Sequence, residues 1–279
     1  MKNSVRRFNL SAKYVHGYTT PEQHRLVKQA KYWRERLILR DLNLTGGERL
    51  LEIGCGVGAV LGEIGKAFPD SNLAGIDIEP RQIEYARQYL TQMGLNNIEL
   101  HVGDAIQLPW PDASFDHVYG MWILEHVCDP KAILREAYRV LKIGGLITLN
   151  EVDYKSFLIW PESPDFQYLQ DSVYEMFSLY GGNPHVARVL GPLLLAAGFS
   201  EVKNTPLVMH YCYALEREEL QKLIALSSAP MELAIPEIVQ VLGKDRSRLE
   251  AGLEFFRSIA KEPGGVATMV IYRGAAKRL

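Results

Sequence analysis

Leu50-Leu51-Glu52-Ile53-Gly54-Cys55-Gly56-Val57-Gly58-Ala59 is an apolar run that breaks into alternating glycines and then enters a helical pattern. It predicts a buried strand over Arg49 to Ile53, a glycine turn, and a helix from Ala59 to Ala67. Glycine lets backbone approach a ligand closely. A helix that starts at such a turn offers free N–H groups and the positive end of its dipole, which suit a carboxylate and a phosphate equally.

The same alternation continues outward. Short apolar runs at Asn72 to Asp77, Ile98 to Val102, Phe115 to Tyr119 and Leu146 to Asn150 are separated by helical patterns at Pro80 to Met93 and Pro130 to Leu141. Strands alternating with crossover helices predict an α/β fold with a parallel sheet. Upstream, Leu26, Ala30, Trp33, Leu37 and Ile38 recur at helical spacing, and Thr20-Pro21 starts a helix that reads to Leu42. Beyond Asn150, helices are expected at Asp165 to Leu179, His185 to Ala197 and Glu216 to Ile259, with strands at Glu201 to Tyr211 and Val266 to Tyr272. The expected organisation is an N-terminal lid segment and helix over 1–45, then one domain over 46–279 with helical insertions at about 155–198 and 215–262.

Composition narrows the function classes. The 279 residues are 47% hydrophobic and 23% charged, enough for a globular core. With 31 Lys and Arg against 33 Asp and Glu, the formal charge of −2 supplies no general attraction to nucleic acid. Cys55, Cys128 and Cys212 form no CxxC pair, which argues against a cysteine metal site or a disulfide framework and for a cytoplasmic setting. No apolar stretch is long enough to read as a membrane span or a signal sequence.

Three acids at successive strand ends distinguish the ligands the glycine turn could hold. Gly54, Gly56 and Ala59 satisfy the looser dinucleotide fingerprint, and Asp77 stands near the offset of a ribose-binding acid. Glu52, however, would face pyrophosphate with a carboxylate and gain nothing, whereas a cationic ligand would be favoured there. Asp77 suits a ribose diol and Asp104 the exocyclic amine of adenine. A nicotinamide oxidoreductase and a non-catalytic cofactor-binding module are the alternative readings.

These residues resemble the class I S-adenosylmethionine-dependent methyltransferases, continuously from Arg49 to Asn150. Glu52-Ile53-Gly54-Cys55-Gly56-Val57-Gly58 looks like the family's first motif, Asp77 and Asp104 like its ribose and adenine acids, and Phe115 to Tyr119 like its fourth strand. Leu124-Glu125-His126-Val127 and Val140-Leu141-Lys142-Ile143-Gly144-Gly145 resemble the segments that follow. Val15-His16-Gly17-Tyr18 with Glu22, Arg25-Leu26 and Gln29-Ala30 is similar to a small-molecule, natural-product-like branch.

The resemblance implies a doubly wound, seven-stranded Rossmann-like sheet with its last strand antiparallel, an N-terminal helix and a helical cap. It implies S-adenosylmethionine as cofactor, held by Tyr18, Glu52, Gly54, Cys55, Gly56, Asp77, Ile78, Gln82, Asp104, Ala105, Met121 and Trp122. A small-molecule acceptor would be methylated in line, with no metal and with a homo-oligomer left open. His126 is the candidate substrate-side base, and Glu125 is assigned to structure. Tyr14, Glu151, Asp153, Arg188 and His210 are the candidates on the acceptor side.

Overall fold

The computed structural model describes residues 17–279. Its sheet has seven strands in the order β3-β2-β1-β4-β5-β7-β6. They span β1 Arg49–Ile53, β2 Asn72–Asp77, β3 Glu99–Val102, β4 Phe115–Met121, β5 Leu141–Trp160, β6 Ser200–Cys212 and β7 Val266–Lys277. The first five strands run parallel, and β7 pairs antiparallel with both β5 and β6. The strand order reverses at β1, which has β2 on one side and β4 on the other. Such a reversal opens a crevice at the carboxyl ends of the strands, where ligands of open α/β sheets bind.

Alternating side chains on β1 explain why helices cover both faces. Leu50 joins the core containing Trp33 of helix α1 (Thr20–Trp33), Leu61 of α2 (Ala59–Ala67) and Ile83 of α3 (Pro80–Gln92). Leu51 and Ile53 join the opposite core, with Ile133 and Leu134 of α4 (Pro130–Val140) and Leu194 of α6 (Leu190–Ala196). A third cluster unites Leu169, Val173 and Phe177 of α5 (Pro164–Leu179) with Ile235 of α7 (Tyr213–Leu242) and Leu253 of α8 (Arg246–Ser258). This last cluster is the helical cap.

Some boundaries differ from the sequence reading for identifiable reasons. The N-terminal helix changes to a π-helical turn at Arg34–Ile38 instead of continuing to Leu42. The expected helix from Glu216 to Ile259 is two helices, because Gly243 at φ +65° ends α7 and Asp245 caps α8 by accepting from Ser247 N at 2.9 Å. The helix expected from His185 begins as a 3-10 turn, Val186–Val189. Strand β5 is 20 residues long and continues well past Asn150. Its extension pairs Leu158, Ile159 and Trp160 with Thr268, Ala267 and Val266 of β7, across a register shift after Asp153.

Buried Arg273 on β7 ties the N-terminal layer to the sheet. Its Nη1 donates to Leu37 O at 2.9 Å and to Asn150 Oδ1 at 3.1 Å, and its Nη2 donates to Arg40 O. Asn150 in turn donates to the hydroxyl of Tyr119 at 2.7 Å. α1 therefore lies along the crevice with its carboxyl-terminal continuation held from the sheet side.

Candidate active site

The turn after β1 is built by backbone that only glycine adopts readily. Gly54, Gly56 and Gly58 all have positive φ, at +68°, +49° and +70°. A Cβ on Gly54 would lie 2.7 Å from Ile123 Cδ1, whereas one on Gly56 would meet nothing within 4 Å, so the turn is packed at its first glycine and open at its second. Asp77 at the end of β2 braces it. Its Oδ2 accepts from Gly56 N at 2.8 Å and its Oδ1 from Glu79 N at 2.9 Å. Burial pushes this carboxyl above its usual range, opposed by those backbone hydrogen bonds.

Glu52 is only 2% exposed, and its Oε2 has no hydrogen-bond partner. Burial, with a further contribution from Asp77, holds its carboxyl well above the ordinary value. A buried acid left in this way is costly unless a ligand partners it. Neighbouring Cys55 is buried, and burial together with Glu52 and Asp77 keeps its thiol far from the reactive thiolate. Cys55 packs the turn against Gly75, where an added Cβ would come within 2.8 Å of its Sγ.

A single cavity of about 480 Å³ runs from this turn towards the helical cap. All the cofactor candidates line it: Tyr18, Glu52, Gly54, Cys55, Gly56, Asp77, Ile78, Gln82, Asp104, Ala105, Met121 and Trp122. Gln82 accepts from Gln23 Nε2 at 3.0 Å, which links α3 to α1, and Asp104 Oδ1 accepts from Ile106 N at 3.1 Å. Tyr18 lies under the Arg81 guanidinium, 5.2 Å from the ring centre. Trp122 has φ +55°, an uncommon conformation for a bulky residue, and its indole meets that of Trp33 edge-on at 6.1 Å. Both indoles line the cavity.

The acceptor-side candidates are placed differently from expectation. His126 lines the cavity, stacked on Phe177 at 5.1 Å with its Nε2 3.3 Å from Glu125 Oε1. Glu151, Asp153, Arg188 and His210 do not line it, and Tyr14 lies outside the described residues. Glu151 is fully buried under the 3-10 turn Leu124–His126, where its Oε1 accepts from Ile123 N at 3.1 Å and Leu124 N at 2.9 Å. Burial and the nearby Glu125 hold its carboxyl well above the usual range. Asp153 is bound to Arg188, with Oδ2 at 2.8 Å from Nε. His210 stands on the outer strand β6 and contacts Thr268 Oγ1 at 2.8 Å. Each of these four faces a structural partner rather than the cavity.

Several lining residues were not among the site candidates, although Arg25 and Gln29 belong to the stretch that carries the branch resemblance. Arg25 and Gln29 project from α1, with Arg25 Nε and Nη2 both 2.6 Å from the carboxylate of fully buried Glu22 and Nη1 2.9 Å from Gln29 Oε1. The signal was present: an acid and an arginine three apart on a face otherwise made of Leu26, Ala30 and Trp33. At the other end, Tyr154, Phe157, Val173, Pro230, Met231 and Met269 make a mainly apolar wall from β5, α5, α7 and β7. Among the described residues no group of three or more His, Cys, Asp or Glu is arranged to hold a metal, and no helix is long and apolar enough to cross a membrane.

Comparison with known proteins follows the same division. Residues 51–149 match the family model described as a methyltransferase domain. The chain is 36% identical over 124 residues to a sterol 24-C-methyltransferase of Aspergillus fumigatus, covering 44% of this chain and 33% of that protein. It is 31% identical over 157 residues to a demethylmenaquinone methyltransferase of Staphylococcus aureus, covering 55% of this chain and 61% of that one. It thus spans about a third of the fungal relative and under two thirds of the bacterial one. The crystal structure of the cyclase SpnF superimposes with a TM-score of 0.57 at 20% identity, over 90% of this chain and 81% of the other, which shows a shared fold.

Proposed function

We propose that the protein is a class I, S-adenosylmethionine-dependent methyltransferase that methylates an apolar small molecule, a reading supported by the match of residues 51–149 to a methyltransferase-domain model. The single observation that carries the reading is the continuous cavity, with an unpartnered buried carboxylate oxygen at the glycine turn and an apolar wall at its far end.

The chemistry of the donor set fits S-adenosylmethionine. Glu52 Oε2 would receive the ammonium of the methionyl group, and Arg25, oriented by Glu22, would receive its carboxylate. Asp77 would accept from the ribose hydroxyls with lone pairs its backbone bonds leave over, and Asp104 from adenine. The cofactor supplies an electrophilic methyl group on a sulfonium. The protein's part is to align an acceptor behind that methyl and to keep water away. Trp33 and Trp122 would present aromatic surface to a cation, and Tyr18, which lines the cavity from the segment before α1, would serve as its lid.

A nicotinamide oxidoreductase is disfavoured by Glu52, whose buried acid would oppose pyrophosphate at the glycine turn. A non-catalytic module is disfavoured by the roomy, mainly apolar wall that the cavity presents from β5, α5, α7 and β7. A small acceptor, rather than nucleic acid, agrees with the formal charge of −2, and the free cysteines agree with a reducing compartment.

Calorimetric titration with S-adenosylmethionine and with NADH tests the cofactor, and transfer of a labelled methyl group into hydrophobic metabolite extracts tests the acceptor. The reading expects binding of the first ligand only and label in an apolar product. Binding of NADH without S-adenosylmethionine would overturn it.

A further inference from the structure

Resting on the methyltransferase reading, we propose that Glu125 takes the proton released by the acceptor, and hence that the acceptor is an apolar molecule with one protic head, an O–H or an N–H. Glu125 sits in the turn between β4 and α4 and lines the cavity. Its backbone is fixed from two sides. Glu151 accepts from the N–H groups of Ile123, Leu124 and Glu125, and Glu125 O accepts from Asn183 N at 2.9 Å.

The side chain is held just as firmly, but by one oxygen only. Oε1 accepts from the Tyr154 hydroxyl at 3.0 Å and lies 3.3 Å from His126 Nε2. Oε2 has no hydrogen-bond partner, although the residue is only 2% exposed. A buried carboxylate oxygen with no donor is an expensive arrangement that a protic ligand relieves. Around it, Tyr154, Phe157, Val173 and Met231 offer a hydrocarbon body surface to pack on and few competing polar groups.

The atoms balance without another reactant. The acceptor's lone pair forms the bond to the methyl carbon, the pair of the broken carbon–sulfur bond stays on sulfur, and the acceptor's proton passes to Glu125 Oε2. Tyr154 acts as a positioning residue, keeping Oε1 occupied and leaving Oε2 as the oxygen that can accept. His126 lies beside the same oxygen and so supports Glu125 rather than replacing it.

The test is equilibrium binding to protein saturated with S-adenosylhomocysteine, followed through the fluorescence of the cavity tryptophans. Three probes of nearly equal size are titrated: para-heptylphenol, para-heptylaniline and para-heptylfluorobenzene, the last of which has no proton to give. Wild-type protein should bind the phenol or the aniline about ten-fold or more tightly than the fluoro compound, as expected when a ligand donor satisfies an otherwise unpartnered buried oxygen. The phenol and aniline arms separate oxygen from nitrogen acceptors. In Glu125→Gln the preference should collapse to near parity, and in Tyr154→Phe it should shrink while the fluoro compound binds as before. Parity in the wild type, retention of the preference in Glu125→Gln, or binding of none of the probes would overturn the proposal. Failure of S-adenosylhomocysteine itself to bind would instead overturn the methyltransferase reading beneath it.

Discussion

At the scale of the residue, the acids of the cavity carry the sharpest expectations. Asp77→Ala removes both a cavity-lining carboxylate and the brace on Gly56 N, so affinity for S-adenosylmethionine should fall roughly ten- to a hundred-fold, from the ~1.5–3 kcal/mol of charge-assisted hydrogen bonds. Calorimetry on the folded variant checks it, and unchanged affinity would remove Asp77 from the site. Glu52 gives a pH signature. Burial holds its folded-state carboxyl well above the ordinary range, so its contribution to stability is complete below that range and is lost as pH rises towards its folded value. The melting temperature of the ligand-free protein should therefore fall more steeply as pH rises above the ordinary carboxylate range than that of Glu52→Gln. Equal slopes would contradict the raised value. Glu52 and Asp77 stood out in the sequence because one lies two residues before the glycine turn and the other ends an apolar strand. Glu125 was not, because what marks it is an oxygen left without a donor, and only the folded turn shows that.

At the scale of the element, the N-terminal layer depends on one buried guanidinium. Arg273→Met should leave the carbonyls of Leu37 and Arg40 and the Asn150 amide oxygen without this donor, at roughly 1–3 kcal/mol for each that stays buried. Urea unfolding should register a loss of about 3 kcal/mol, and a loss below about 0.5 kcal/mol would show that water replaces the arginine easily. At the other end of α1, Tyr18→Ala should lower cofactor affinity and turnover together if its ring shields the sulfonium, whereas wild-type values for both would remove the lid. The strands from β1 to β4 could be read because each is a short, largely apolar run set between helical patterns or turn residues. The extension of β5 could not, since Asp153, Lys155 and Ser156 interrupt the run and the pairing is supplied by distant β7. The division of α7 from α8 rests on Gly243 and Asp245, a stop followed by a cap that the long apolar periodicity concealed.

At the scale of the whole molecule, the sheet divides its labour. The parallel strands carry the glycine turn and the acids beyond it, which are local in sequence and were read there. The apolar end of the cavity is assembled from β5, α5, α7 and β7, residues far apart along the chain, so no window of sequence contains it. Both ends nevertheless belong to one space, with Trp33 and Trp122 facing into it. Ligands that share walls in this way are thermodynamically coupled, and coupling is symmetric: the factor by which one changes the other's affinity must be returned in full. Saturating the protein with S-adenosylhomocysteine should tighten para-heptylphenol, and para-heptylphenol should tighten S-adenosylhomocysteine by the same ratio. Two independent affinities would mean that the indoles act as a partition. A ratio above one would make the cavity a cooperative device, in which the spent cofactor retains the product and turnover is paced by the departure of the pair.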